Sequence, residues 1–299
     1  MIRLRQSGVD EVLIKRVRDW YDPGPGCFFS GVTGVASFDP ASLFTTGVNG
    51  AWYDPSDFST LFQDAAGTTP VTAVEQPVGR MLDKSGKGNH AFNPTAVGTA
   101  NFPVLQQDGT GRYYLAFNGA NQWLQTNSID FTNTAQMFVS AGVRKLSDYM
   151  GEATAAIIAE VSSNVAANNG SWALTGSIGY GSNRKYTFQS KGTLSFVEAN
   201  TTNASYAAPV TNIVSGISDL NGSPSDYARL KVNNTQVAEN TADQGTDNFG
   251  NYPLYIGARA GTSLWANIRL YQLVVAGKQA SADEITNTET FINQKTGAY

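Results

Sequence analysis

From about Gly50 onward the chain alternates apolar and polar residues in short runs, the period of half-buried β-strands. The runs "RYYLAFNG" and "NQWLQTN" flank Asn118-Gly119, a residue pair that favours a tight hairpin turn. "LKVNNTQVAE" repeats the arrangement around Asn233-Asn234. "QMFVSAGVRK" reads as a buried strand, and "AAIIAEV", "SWALTGSIGY", "KYTFQSKGTLSFVEA", "TNIVSGISDL", "PLYIGARAG" and "ANIRLYQLVVAG" continue the pattern. At least nine strand-like segments lie between 110 and 277, with few helical patterns between them. That order predicts an antiparallel two-sheet sandwich rather than a parallel α/β sheet.

Both ends depart from the pattern. "SADEITNTETFINQKTGAY" opens with Ser281 and Glu284 at capping-box spacing, sets Ile285, Thr288 and Ile292 on one face, and stops at Gly297. One C-terminal helix lying on the sandwich is expected. At the other end, "VDEVLIKRVRDW" has near-helical spacing of Val9, Val12, Leu13, Val17 and Trp20, and Pro23 and Pro25 end it. Residues 1–48 are too short for a core of their own and read as an attachment or oligomerisation arm, ahead of a β domain over 49–299. Trp20, Tyr21, Phe28 and Phe29 are the arm's expected assembly interface, because four aromatics so close together are costly to leave in water.

Composition narrows the reading. The 299 residues are 15% charged and contain 30 glycines, which suits many short strands joined by turns. A formal charge of −4 gives no electrostatic case for nucleic acid or an anionic membrane. No apolar run approaches the ~18 residues that would span a bilayer, so no membrane insertion is expected. The start lacks the apolar core of a secretion signal, and synthesis in a cytoplasm as a soluble protein is expected. The lone Cys27 excludes an intrachain disulfide framework.

The stretch "GAWYDPSDFSTLFQD" sets Trp52, Tyr53, Phe58, Leu61 and Phe62 among turn residues. It is too apolar for a free loop and reads as an aromatic plug, with Ser56 capping one helical turn. Extended to "GAWYDPSDFSTLFQDAAGTTPVTAVEQPVGRMLDKSGKGNHA", it resembles a module of tailed-bacteriophage and prophage proteins. "FNGANQWL" and "PLYIGARAGTSLWANIRLYQLVVAG" resemble later segments of that module, and also the laminin-G-like, concanavalin-A-like superfamily. The resemblance covers roughly Phe38 to Tyr299. It implies a mainly β jelly-roll sandwich in a virion-associated protein, made in a bacterial host, with other virion proteins as partners and a homo-oligomer, trimer first. It implies no reaction, because the superfamily hosts lectins, glucanases and structural modules alike.

Candidate chemistry is sparse. Glycoside cleavage needs two carboxylates across the bond, and the strand acids Glu160, Glu198, Asp226 and Glu239 are isolated. A non-enzymatic virion structural protein is therefore the first expectation, and a receptor-binding protein for a bacterial surface glycan the alternative. His90, the one histidine, reads as a polar loop residue. Tyr180 and Tyr252, with Asn251, sit among turn residues and are the candidates for sugar contact, whereas Trp123 and Trp172 read as core. Asp83 and Asn89, with Ser85, are candidate Ca²⁺ ligands, set against an Asx-turn reading of the same loop.

Overall fold

The computed structural model describes residues 38–95, 99–148, 155–178, 183–222 and 228–299. Trp20, Tyr21, Phe28, Phe29 and Cys27, and likewise Tyr180 and Asp226, lie outside the described residues. In chain order the strands are β1 (Gly50–Tyr53), β2 (Leu61–Phe62), β3 (Arg80–Met81), β4 (Ala91–Phe92), β5 (Val104–Gln107) and β6 (Tyr113–Asn118). They continue as β7 (Leu124–Asp130), β8 (Gln136–Lys145), β9 (Ala155–Val161), β10 (Ser171–Ile178), β11 (Tyr186–Lys191) and β12 (Phe196–Thr201). The last are β13 (Val210–Asp219), β14 (Ala228–Val232), β15 (Thr235–Asn240), β16 (Asn251–Ile256) and β17 (Asn267–Ala276), followed by helix α1 (Ala282–Thr296).

Two antiparallel sheets result, as the alternation predicts. The first runs β15-β14-β13-β8-β17-β6-β5, with β1 also paired to β17; the second runs β12-β11-β10-β9-β16-β7-β4-β3-β2. Inward residues of both, among them Leu115, Phe117, Val139, Leu174, Trp172 and Phe188, form one continuous core. A second cluster lies on the outer face of the first sheet, where Phe138, Ile213 and Val274 meet Trp52, Leu43, Ile285 and Ile292. β1 is thus buried on both faces: Ala51 and Tyr53 enter the inter-sheet core, and Trp52 packs edge-on against Phe291 of α1 at 5.9 Å.

Helix α1 carries the predicted signals. Ser281 is the N-cap, the reciprocal bonds with Glu284 are both present, and Gly297 closes the helix at φ 59°. Gly142 of β8 explains how closely the helix lies: a Cβ there would sit 2.5 Å from Thr296 Cγ2 and 2.6 Å from Ile292 Cγ2. The compact unit begins at Phe38, upstream of the boundary read at 49. Phe38 packs on Phe291, and Leu43 and Phe44 join the cluster under the helix, so 38–48 belongs with the sandwich. No helix of the described residues is long and apolar enough to cross a membrane.

One of the two expected hairpins forms. Asn233 and Asn234 take the left-handed conformation at φ 49° and 65°, and Val232 pairs with Thr235 across them. Asn118-Gly119 does not join a hairpin, because β6 belongs to the first sheet and β7 to the second. Gly119 is left-handed at φ 71°, and Asn118 Oδ1 accepts the amides of Ala120 and Asn121, so the local turn is real. The turn carries the chain across the sandwich, since the apolar sides of both strands bury against the same core from opposite sheets. A second correction concerns the aromatic plug: the 3₁₀ turn Phe58–Thr60 is capped by Asp57, and Ser56 instead donates to Asp54 Oδ1.

Helix α1 buries one acid at a cost. Glu289 is fully buried, neither carboxylate oxygen has a hydrogen bond of normal geometry, and the Lys231 ammonium stands 3.6 Å away. Burial holds its carboxyl above the ordinary glutamate range, with Lys231 pulling the other way. A raised folded-state pKa means the native state is penalised once pH rises through that value, and not below the unfolded value. Glu289→Gln is therefore expected to raise stability at pH 7 by about 1 kcal/mol, and hardly at all near pH 4. Urea unfolding at both pH values checks this.

Candidate functional site

The second sheet ends in three strands of two residues each, β2, β3 and β4. Leu61, Met81 and Ala91 point inward and are fully buried, which turns Phe62, Arg80 and Phe92 to the outer face. The register places these outward residues in one row: Phe62 opposite Arg80, Arg80 opposite Phe92, Phe92 opposite Gln125, and Gln125 opposite Tyr255. Asn127, two residues along β7, is exposed beside the row. A cleft of about 300 Å³ opens here, lined by Ala65, Arg80, Gly88, Asn89, His90, Phe92 and Asn127.

Two loops shape this cleft. In the first, Asp64 accepts the amides of Thr68 and Thr69, at 3.0 and 2.6 Å, and these bonds hold its carboxyl well below the usual range. The turn so fixed presents the Ala65 carbonyl, which accepts Arg80 Nη1 at 3.3 Å. In the second, Asp83 is a hub. Its Oδ1 accepts the amides of Trp52 and Ser85 at 2.9 and 2.8 Å, and its Oδ2 accepts Ser85 Oγ and the Asn89 amide at 2.6 and 3.0 Å. Asn89 Nδ2 donates to the Gly50 carbonyl at 2.7 Å, and Tyr53 Oη donates to the Asn89 carbonyl. The loop is thereby tied to β1.

This knot orients His90. The Asp83 amide donates to His90 Nδ1 at 3.0 Å, so the neutral ring carries its proton on Nε2. Partial burial, and then the neighbouring Arg80 charge, hold the imidazole below its ordinary pKa, opposed by Asp83. At neutral pH the cleft therefore offers one cation, one neutral N–H donor, side-chain amides and an aromatic ring. No carboxylate lines it among the described residues.

The residues singled out from sequence fall elsewhere or do other work. Tyr252 pairs with the fully buried Ile129, its ring packs on the core, and its hydroxyl donates to the Asn169 carbonyl at 3.1 Å. Asn251 is exposed opposite Asp130, away from the cleft. The four donors on Asp83 occupy both of its oxygens, and no group of three or more potential metal ligands occurs among the described residues. Asp83 and Asn89 are thus seen in the turn role. Of the strand acids, Glu160 is fully buried on Arg259, and Glu198 is engaged by Arg184 and Gln189. The sequence pattern marks none of Arg80, Phe92, Gln125 and Tyr255, places Phe62 in the aromatic plug although its ring faces outward, and gives His90 as a polar loop residue. Their signal is a polar–apolar alternation only two residues long.

No family model and no curated protein matches the chain. Among solved structures it is similar to the receptor binding domain of botulinum neurotoxin D, with a TM-score of 0.50 and 13% identity over 73% of this chain and 51% of that one. It is equally similar to the binding domain of Paraclostridial Mosquitocidal Protein 1, at TM-score 0.50 and 13% identity, over 74% and 51%. The likeness is one of fold. This chain spans about half the length of those neighbours, which share its mainly β architecture.

Proposed function

We propose that the domain is a non-catalytic carbohydrate-binding module, and that it serves a tailed-phage or prophage virion as the part that meets a bacterial surface glycan. The observation that carries the first half is the outer-face row from Phe62 to Tyr255. Its four inter-strand steps of about 4.8 Å make a band about 19 Å long, the reach of a short oligosaccharide. Aromatic faces at Phe62, Phe92 and Tyr255 alternate with the hydrogen-bonding side chains of Arg80 and Gln125. Apolar faces with a few placed polar groups are what ligand sites use. Both neighbours in fold are named as binding domains, which agrees with this reading. A hydrolytic reading lacks support, because the cleft has no pair of carboxylates among the described residues.

The virion setting rests on the resemblance of Gly50–Ala91 and the later segments to phage modules. In that setting residues 1–37 attach the domain to other virion proteins or sister subunits, with a trimer the expected assembly. Light scattering on the full chain tests this: about three times the monomer mass is expected, and a monomer at micromolar concentration contradicts it.

The binding half is tested by titrating the full chain with bacterial surface polysaccharides. Phe92→Ala is expected to weaken binding about tenfold, the cost of losing one aromatic contact of about 1.4 kcal/mol. Folded protein that binds no glycan at millimolar concentration, or binds one equally well without the Phe92 ring, would contradict the proposal.

A further inference from the structure

We infer that the cleft selects an acidic sugar, seating the sugar's carboxylate on the Arg80 guanidinium with His90 Nε2–H as a second donor. This deepens the carbohydrate-binding reading and rests on it. The first ground is that Arg80 brings a charge without a carboxylate partner among the described residues into a cleft. Several other cations are held by acids, whereas Lys87, Arg112, Arg144 and Lys191 bond carbonyl or hydroxyl oxygens, none of them in this cleft. Lys84 is paired with Asp57 at 2.6 Å, Arg259 with Glu160 at 2.9 Å, Lys145 and Lys185 with Asp148 at 2.7 and 2.9 Å, and Lys278 with Glu284 at 2.6 Å. Arg80 has no carboxylate within 4.0 Å among the described residues, although it is half-buried and lines a cleft. Its bonds within the protein go from one nitrogen, Nη1, to loop carbonyls, and a guanidinium has five N–H donors.

The second ground is how the position is built. Arg80 stands between Phe62 and Phe92 in the cross-strand row, and its aliphatic stem lies under Gly67, where a Cβ would come within 3.0 Å of Arg80 Cδ. The side chain is held and partly dried, which strengthens any charge-assisted bond it makes. The third ground is His90. With Nδ1 occupied by the Asp83 amide, its remaining nitrogen is a donor beside Arg80 in the same cleft. Two donors and no acid among the described residues fit an anion. The Asn127 amide, with the Asn89 side-chain carbonyl whose N–H groups are used by Asn49 and Gly50, fits the hydroxyls of a polyhydroxylated ring. The planar guanidinium fork matches a planar carboxylate, which makes uronic or sialic-type acids the class expected.

The test uses the full chain on an array of neutral, carboxylated and sulfated glycans, followed by titration of the tightest binder and its carboxyl-reduced derivative. The tightest binders are expected to carry carboxylates, and reduction is expected to weaken binding at least tenfold. Arg80→Gln should lose a similar factor toward the acid and almost nothing toward the reduced sugar, with Arg80→Lys between. Circular dichroism and thermal melting confirm that the variants fold. Neutral or sulfated glycans as the tightest binders, or equal affinity for the acid and its reduced form, would overturn the inference. The carbohydrate-binding reading survives that outcome if Phe92→Ala still weakens binding. Absence of binding to any glycan overturns both.

Discussion

Asp83→Ala is expected to lower the unfolding free energy by about 3–4 kcal/mol and to abolish capture of ligand in the cleft. The carboxylate accepts three backbone amides and one hydroxyl, and these come from three places: β1 at Trp52, the turn at Ser85, and the loop end at Asn89. Alanine leaves all four donors without their acceptor, and bonds to a charged group are worth more than neutral ones. The Asp83 amide also fixes His90, so loosening the loop releases the ring that lines the cleft. Asp83→Asn keeps one acceptor oxygen and should lose about half as much. Urea unfolding and sugar titration on the same samples measure both effects. The same experiment separates hub from metal ligand. If Asp83 held calcium, chelator would destabilise the native protein and have no effect on Asp83→Ala. No chelator effect on the native protein is expected, because the protein's own donors use both oxygens.

Arg259→Ala is the second large effect, expected to cost about 3–5 kcal/mol at pH 7 because it strands a buried charge. Glu160 is fully buried, its two oxygens take Arg259 Nε at 3.1 and 2.9 Å, and Oε1 also accepts the Val165 amide at 2.8 Å. Burial raises the Glu160 pKa even with the guanidinium present. Removing the cation raises it further. A carboxyl with a raised folded-state pKa costs stability above that pKa and not below the unfolded value. The loss in Arg259→Ala should therefore shrink as pH falls from 7 towards 4. A loss that stays constant over that range would mean that packing of the 259–264 loop, not charge, is what the substitution removes.

Long elements were legible in the sequence because they carry enough periods to show. β8 and β17 have ten residues each, and both stand in the sequence as apolar runs. Helix α1 was legible through Ser281, Glu284 and Gly297, whose bonds are local in sequence. The Asn233-Asn234 hairpin was legible for the same reason, whereas Asn118-Gly119 shows that a local turn does not say which sheet receives the next strand.

The site was largely illegible. Its three strands have two residues each, too few to display alternation, and their partners lie at distant positions such as Gln125 and Tyr255. His90 stood alone in sequence, and only the Asp83 knot brings it beside Arg80. Tyr252 misled because Gly250 and Asn251 mark a turn. Tyr252 shares the inward parity of Leu254 and Ile256 on β16, so its ring packs on the core, and the tyrosine on the outer face is Tyr255.

Amide chemical-shift mapping of the full chain during titration with its tightest-binding glycan tests the central claim most directly. The largest changes are expected along the outer-face row and its loop, at Phe62, Arg80, His90, Phe92, Gln125 and Asn127. The exposed tip at Leu194 and Phe196, and the face under α1, should stay still. Changes centred on either of those places, with the row unmoved, would contradict the account.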